Sequence, residues 1–260
     1  MSQDYEVFIT SMKTKTGIDL SLYKEAQMKR RLTSLFQKKG YRSFREFFEK
    51  LDQDQDLLEE FLDRMTINVT EFYRNRSRWE VLENKILPRL LKENQMLKVW
   101  SSASSTGEEP YTISMILSRF MPMQQISILA TDIDEGAIER AKLGIYAERS
   151  LAEMSTEDRK KHFVKDGSVY KISDVIKKPV QFKKTNLLAD PFDSGYHLIV
   201  CRNVLIYFTE EAKDRLYQKF SQALAPGGVL FVGSTEQIFN PGQYGLEVED
   251  TFFYKKCDSY

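Results

Sequence analysis

From Asp4 to about Leu91 the apolar residues recur at helical spacing: Phe8 and Met12, then Leu22, Met28, Leu32, Leu35 and Phe36, then Phe44, Phe47, Phe48 and Leu51, then Leu57, Leu58, Phe61, Leu62 and Met65. A period of roughly 3.6 predicts helices that each bury one face. No strand-like alternation interrupts this stretch, and Gly17 and Gly40 stand where helices should stop. The pattern predicts an all-helical N-terminal domain, residues 1–75.

The pattern changes at Lys98. VWSSAS reads as a short strand, followed by a polar turn with Gly107 and the helix-compatible YTISMILSRF. ISILATDI leads into DEGAIERAK, YHLIVCRNVLIYF into EEAKDRLYQKFSQAL, and GGVLFVGS follows the turn at Ala225 to Gly228. Strand alternating with helix predicts an α/β domain with a parallel sheet, residues 76–260. The closing EVEDTFFYKK suits a last strand pairing antiparallel at the edge. Between Gly144 and Asn186 the rhythm breaks, and HFVKDGSVYKI and VQFKK alternate. They predict a small inserted β subdomain, about 146–184.

Composition narrows the class. The 260 residues are 42% hydrophobic and 29% charged, enough for a packed core, and Lys plus Arg (38) balances Asp plus Glu (38). A chain of zero formal net charge has no global field to grip nucleic acid, so electrostatic recognition must be local. Two cysteines and two histidines give neither a disulfide framework nor a zinc centre, and no metal is expected. The N-terminus lacks the order of a signal peptide and no apolar run approaches a membrane span, which predicts a cytoplasmic protein with no membrane insertion.

Candidate chemistry gathers where an open α/β sheet binds ligands, at the carboxyl ends of its strands. The loop SSTGEEPY (104–111) follows the first strand. Gly107 is expected to let the backbone approach a ligand, with a helix beginning near Pro110. Asp132 ends the next strand, where an acidic residue accepts hydrogen bonds from ribose hydroxyls. Asn186 and Leu187 precede the third strand. The loop is neither GxGxxG nor a phosphate-binding loop. Glu108 and Glu109 would repel a pyrophosphate but suit a sulfonium carrying an amino group, which favours S-adenosylmethionine over NAD or ATP; alternatively they only charge the first turn of a helix.

NVTEFYR (68–74), VWSSASSTGEEPY (99–111), ATDID (130–134), CRNVLIYF (201–208) and APGGVLFVGSTE (225–236) together resemble the chemotaxis receptor methyltransferases, the CheR family. The match runs in order over about two-thirds of the chain; Ser104 departs from the Ala or Cys expected there. The resemblance implies a class I S-adenosylmethionine methyltransferase that forms glutamyl methyl esters on the cytoplasmic methylation helices of bacterial chemoreceptors, for sensory adaptation. It implies cofactor contacts at Asn68, Thr70, Arg74, Glu109, Asp132, Asn186, Leu187, Arg202 and Asn203, and places Arg74 and Tyr207 nearest the transferred methyl. From spacing alone, Arg74 is one of a basic cluster with Arg76 and Arg78, and Tyr207 is a strand-end aromatic. Other readings are a methyltransferase for another protein or small-molecule carboxylate, and a non-catalytic cofactor sensor.

A free glutamate ionises near pH ~4.3, so methylating it needs no general base. Positioning and water exclusion carry the rate. A Pro-Pro-Tyr-type tetrapeptide suited to exocyclic amines is absent; Arg202, Asn203, Val204 and Leu205 stand there instead. Lys24, Arg31 and Lys38, seven apart, form one basic stripe on a continuous helix, a docking face for acidic receptor helices or simply a solvated face. Some family members tether a receptor C-terminal peptide on the inserted β unit through a longer Gly-rich turn. The short VKDGSV, with Gly167 its one glycine, predicts no tether here.

Overall fold

The computed structural model describes residues 3–66 and 68–257. The chain opens with four helices, α1 (Gln3–Thr16), α2 (Glu25–Lys38), α3 (Phe44–Leu51) and α4 (Gln55–Met65). Their apolar stripes meet in one core of Tyr5, Phe8, Met12, Met28, Leu32, Leu35, Phe36, Phe44, Phe47, Leu51, Leu57, Leu58, Phe61 and Met65. Local chemistry sets the ends: Ser43 accepts from Glu46 N and Asp54 from Leu57 N, each satisfying a first-turn donor. Gly17 closes α1 at φ 75°.

Helices α5 (Arg76–Val81) and α6 (Leu87–Glu93), joined by a π-helical turn at Leu82–Ile86, lead into the sheet domain. There β1 (Lys98–Ser101), α7 (Glu108–Leu117), β2 (Ser127–Asp132) and α8 (Glu135–Leu143) alternate. A small antiparallel sheet follows, β3 (Ile145–Ala147), β4 (Phe163–Asp166) and β5 (Val169–Ile172) in the order β3-β5-β4, with α9 (Thr156–His162) and α10 (Asp174–Lys177) beside it. The chain then returns through β6 (Val180–Lys184), β7 (Tyr196–Cys201), α11 (Glu210–Ala223), β8 (Leu224–Val232), β9 (Leu246–Asp250) and β10 (Phe253–Lys256).

The main sheet runs β6-β2-β1-β7-β8-β10-β9. Its first five strands pair in parallel, and β10 inserts antiparallel between β8 and β9. Central strands are covered on both faces, so Leu198 to Cys201 and Val229 to Val232 are buried without alternation. From β1 the chain winds outward one way to β2 and β6, then crosses back to β7 and β8. That reversal opens a crevice at the carboxyl ends of β1 and β7.

Two sequence readings change. VQFKK is β6, an edge strand of the main sheet paired in parallel with β2, and not part of the small β unit. Alternation reports a half-buried strand, which an edge position satisfies as well as a separate sheet does. The closing stretch forms two strands, β9 and β10, rather than one.

Candidate active site

The loop after β1 is stitched to its neighbours, with Ser102 N donating to Val200 O (2.9 Å) and Ser104 N to Thr131 O (2.9 Å). Gly107 (φ 96°) turns the chain into α7, but a Cβ there would lie 2.9 Å from both Ala141 Cβ and Tyr111 Cε2. The missing side chain therefore serves packing under α8, and Gly107 does not line the crevice, contrary to the expected approach of its backbone to a ligand. Helix α7 begins at Glu108, placing the two acidic residues differently. Glu108 accepts from Thr106 Oγ1 at 2.7 Å, away from the crevice, whereas Glu109 faces into it.

Glu109 Oε1 accepts from Ser101 Oγ at 2.8 Å, and its nearest cation, Arg202 Nη1, stands 3.9 Å from Oε2. Burial pushes this carboxyl up to about 7 against the pull of Arg202. Asp132, at the end of β2, accepts from Ser105 N (2.7 Å) and Asp134 N (2.9 Å). Burial outweighs those bonds and pushes Asp132 up to about 6. Two largely buried carboxylates, Asp132 with no ion pair among the described residues and Glu109 with only the 3.9 Å approach of Arg202, make a site suited to a bound cation and to hydroxyl donors.

The linker between the helical and sheet domains closes one side. Asn68 donates to Asp134 Oδ2 (2.7 Å) and accepts from Ser105 Oγ (2.8 Å), tying the linker to the β1 loop and to the N-terminus of α8. Arg74 lies between two left-handed residues, Tyr73 (φ 55°) and Asn75 (φ 60°). Such backbone in non-glycine residues persists only where its surroundings enforce it. Trp79 Nε1 (3.0 Å) and Arg202 Nη2 (2.8 Å) hold the Arg74 carbonyl, while the half-buried guanidinium donates to Val69 O (2.8 Å). Arg202 is buried between the rings of Trp79 and Phe231, and its remaining side-chain bond goes to Asn75 Oδ1 (3.0 Å).

On the opposite wall, Asn186 Oδ1 accepts from Leu188 N (3.0 Å), shaping the turn that presents buried Leu187. Asn203 (φ 59°) begins the loop after β7, and Tyr207 ends its short helical turn. One crevice is thus lined by Asn68, Thr70, Arg74, Glu109, Asp132, Asn186, Leu187, Arg202, Asn203 and Tyr207, all ten residues singled out for cofactor or chemistry.

The basic stripe does not stand as expected. Lys38 is exposed, but Arg31 turns inward, its guanidinium 4.7 Å from the centroid of the Tyr207 ring and donating to Met65 O (3.2 Å). Lys24 caps α2, and its backbone N donates to Tyr207 O (2.8 Å). Seven-residue spacing fixes a common face but drifts by ~20° per heptad. Here that face rolls onto the sheet domain near Arg31. The outward face of α2 instead carries Lys29, Arg30 and Lys38 beside a shallow groove with Ala26, Thr33 and Ser34.

Of the lining and anchoring residues that the sequence does not mark, Tyr23 and Glu236 bear most on the site. Tyr23, from the helical domain, lines the crevice and packs its ring 5.1 Å from that of Phe208 across an isolated antiparallel bridge. Nothing in LSLYK marks it. Glu236 anchors the loop after β7; it stands in the GSTE string, 33 residues beyond the first backbone it holds. Among the described residues no group of acidic, His and Cys side chains could hold a metal ion, and no helix is long and apolar enough to cross a membrane.

Residues 68–252 match the family model described as CheR methyltransferase, SAM binding domain, and residues 3–66 the one described as CheR methyltransferase, all-alpha domain. A chemotaxis protein methyltransferase of Listeria monocytogenes is 47% identical over 257 residues, covering 98% of each chain. One from Borreliella burgdorferi is 35% identical over 254 residues, covering 92% of this chain and 89% of that one.

Proposed function

Because the chain belongs to the CheR family and is an S-adenosylmethionine-dependent methyltransferase, we propose that its acceptors are glutamate side chains on the cytoplasmic methylation helices of chemoreceptors. The observation that carries this reading is the lining of the crevice. Among the described residues its lining holds no His, Cys or Lys; its carboxylates are Glu71, Glu109 and Asp132, the latter two assigned to the cofactor, beside Arg74, Arg202, Tyr23 and Tyr207. An acceptor already ionised near neutral pH is what such a site can use, and a glutamate carboxylate is one.

Bound S-adenosylmethionine supplies an electrophilic methyl group on a sulfonium. Glu109 would hold the amino end of the cofactor and Asp132 the ribose hydroxyls, with Asn68, Thr70 and Asn203 completing the polar contacts. Leu187 and Ile133, both in the crevice wall, would give an apolar face for the adenine beside Asn186. Arg202 acts beneath the site: it fixes the carbonyl of Arg74, so that the guanidinium meets the acceptor from a pinned backbone. Arg74 and the Tyr207 hydroxyl would orient the incoming carboxylate toward the methyl group that the bound cofactor would supply. A shared, loose grip leaves one oxygen free to attack; a full bidentate clamp would lower its nucleophilicity.

The acceptor helix reaches the crevice across the basic outer face of α2, a setting in which the enzyme works in the cytoplasm against the receptor's inner portion. The β4–β5 hairpin turns within Gly167 and Ser168, supporting recognition without a peptide tether. Receptor tail peptides should show no micromolar binding that maps to residues 160–184. The reading as a whole is tested by tritiated methyl transfer to receptor-rich membranes. Label released as methanol by mild base is expected, and label that survives base would exclude a carboxyl ester.

A further inference from the structure

The loop that begins at Asn203 contains a concavity of backbone N–H groups of the kind that binds anions, and the protein fills it with its own side chain. Glu236 Oε2 accepts from Asn203 N (2.7 Å) and Gly233 N (2.8 Å), and Oε1 from Val204 N (2.9 Å) and Leu205 N (2.7 Å). The carboxylate is buried, and no lysine or arginine forms an ion pair with it among the described residues. All four of its partners are main-chain donors, three of them consecutive. Those three open the segment whose first residue is left-handed and whose last is Tyr207.

The geometry points to Glu236 as the positioning residue of the active site: an internal anion that holds residues 203–207 in the one backbone path presenting Asn203 to the cofactor and Tyr207 to the acceptor. A left-handed asparagine followed by a tight turn is an uphill conformation. Charge-assisted bonds to consecutive N–H groups are the interaction that offsets it. A neutral amide cannot replace the carboxylate, because its NH2 would face two N–H donors. Glycine at 233 is part of the device, since a Cβ there would run into Glu236 Oε2 and come within 3.0 Å of Asn203 N.

This inference rests on the assignment of Asn203 to the cofactor, and the test separates the two. Affinity for S-adenosylhomocysteine is measured by calorimetry for wild type, Glu236→Gln, Asn203→Ala and the double variant, with folding followed by circular dichroism. Glu236→Gln should weaken binding at least tenfold, Glu236→Asp less, and Asn203→Ala should cost little further in the Gln background, because the contact is already lost. Gly233→Ala, which keeps the charge and displaces the carboxylate, supplies the same comparison should Glu236→Gln fail to fold. A folded Glu236 or Gly233 variant that binds within twofold of wild type, or losses that simply add, would overturn the positioning role. Asn203→Ala binding as wild type while Glu236→Gln binds tenfold weaker would instead remove Asn203 from the cofactor site and leave Glu236 acting elsewhere on the loop.

Discussion

The crevice and the outer face of α2 are both rich in charge, yet they treat it in opposite ways. In the crevice, Glu109 and Asp132 are largely buried, Glu109 with Arg202 at 3.9 Å and Asp132 with no ion pair among the described residues, and their carboxyls are pushed up to about 7 and about 6. On α2, Arg30 and Lys38 are exposed and lie beside an open groove. A solvated charge costs the fold little and by itself says little. A buried carboxylate pushed above its ordinary range is a standing cost that a ligand can relieve, which makes the first pair the candidate binding site and the second only a surface able to steer a partner.

Removing a group that orients the reaction should have the largest effect. Arg74→Ala is expected to slow turnover by roughly 100-fold, the scale of losing alignment of reacting groups. Cofactor affinity should change far less, and Arg74→Lys should rescue poorly for want of the planar fork. Steady-state kinetics beside calorimetry decide it; equal losses in both would make Arg74 chiefly a cofactor ligand.

Next comes Asp132→Ala, which removes the proposed ribose contact and strands Ser105 N and Asp134 N. S-adenosylmethionine binding should weaken by about 1–3 kcal/mol. Unchanged affinity in a folded variant would take Asp132 out of the site.

The raised carboxyl of Glu109 has a consequence for the ligand-free protein. With its folded value near 7 and an unfolded value of ~4.3, the folded state holds the extra proton between them. Its contribution to stability is full below the unfolded value and is lost as pH rises through the folded one. Between pH 5 and 7.5 wild type should therefore lose stability relative to Glu109→Gln, on the order of 1 kcal/mol. Denaturant midpoints of the two proteins across that range check it, and parallel curves would deny the shift.

The smallest effect belongs to α2. Reversing Lys29, Arg30 and Lys38 to Glu should raise the apparent KM for receptor several-fold, by about 0.2–1 kcal/mol per charge, and leave cofactor affinity alone. Normal receptor kinetics in that triple variant would make the face merely solvated.

Much of this was legible in the chain because it is local. Strand, loop and helix punctuation around SSTGEEPY and ATDID put Glu109 at the turn into a helix and Asp132 at a strand end, and four of the five quoted motifs line one crevice. What was not legible depends on distant segments. Spacing placed Arg31 on a face of α2 but could not say that this face meets Tyr207. Alternation made VQFKK a strand without choosing its sheet. Gly107 showed that a turn needed glycine, though the reason lies in Ala141 and Tyr111 across the loop. Tyr23 and Glu236 reach the site only through chain reversals no window of sequence contains.

The contrast between buried and solvated charge is tested most directly by calorimetric titration of S-adenosylmethionine into the wild-type protein at pH 5.5 and pH 8, each at low and at high salt. Affinity should rise by at least tenfold from the lower to the higher pH, as Glu109 and Asp132 become free to bind in their ionised forms. It should change little with salt, because buried pairs are weakly screened. An affinity that is flat with pH, or one that falls steeply with added salt, would contradict the account.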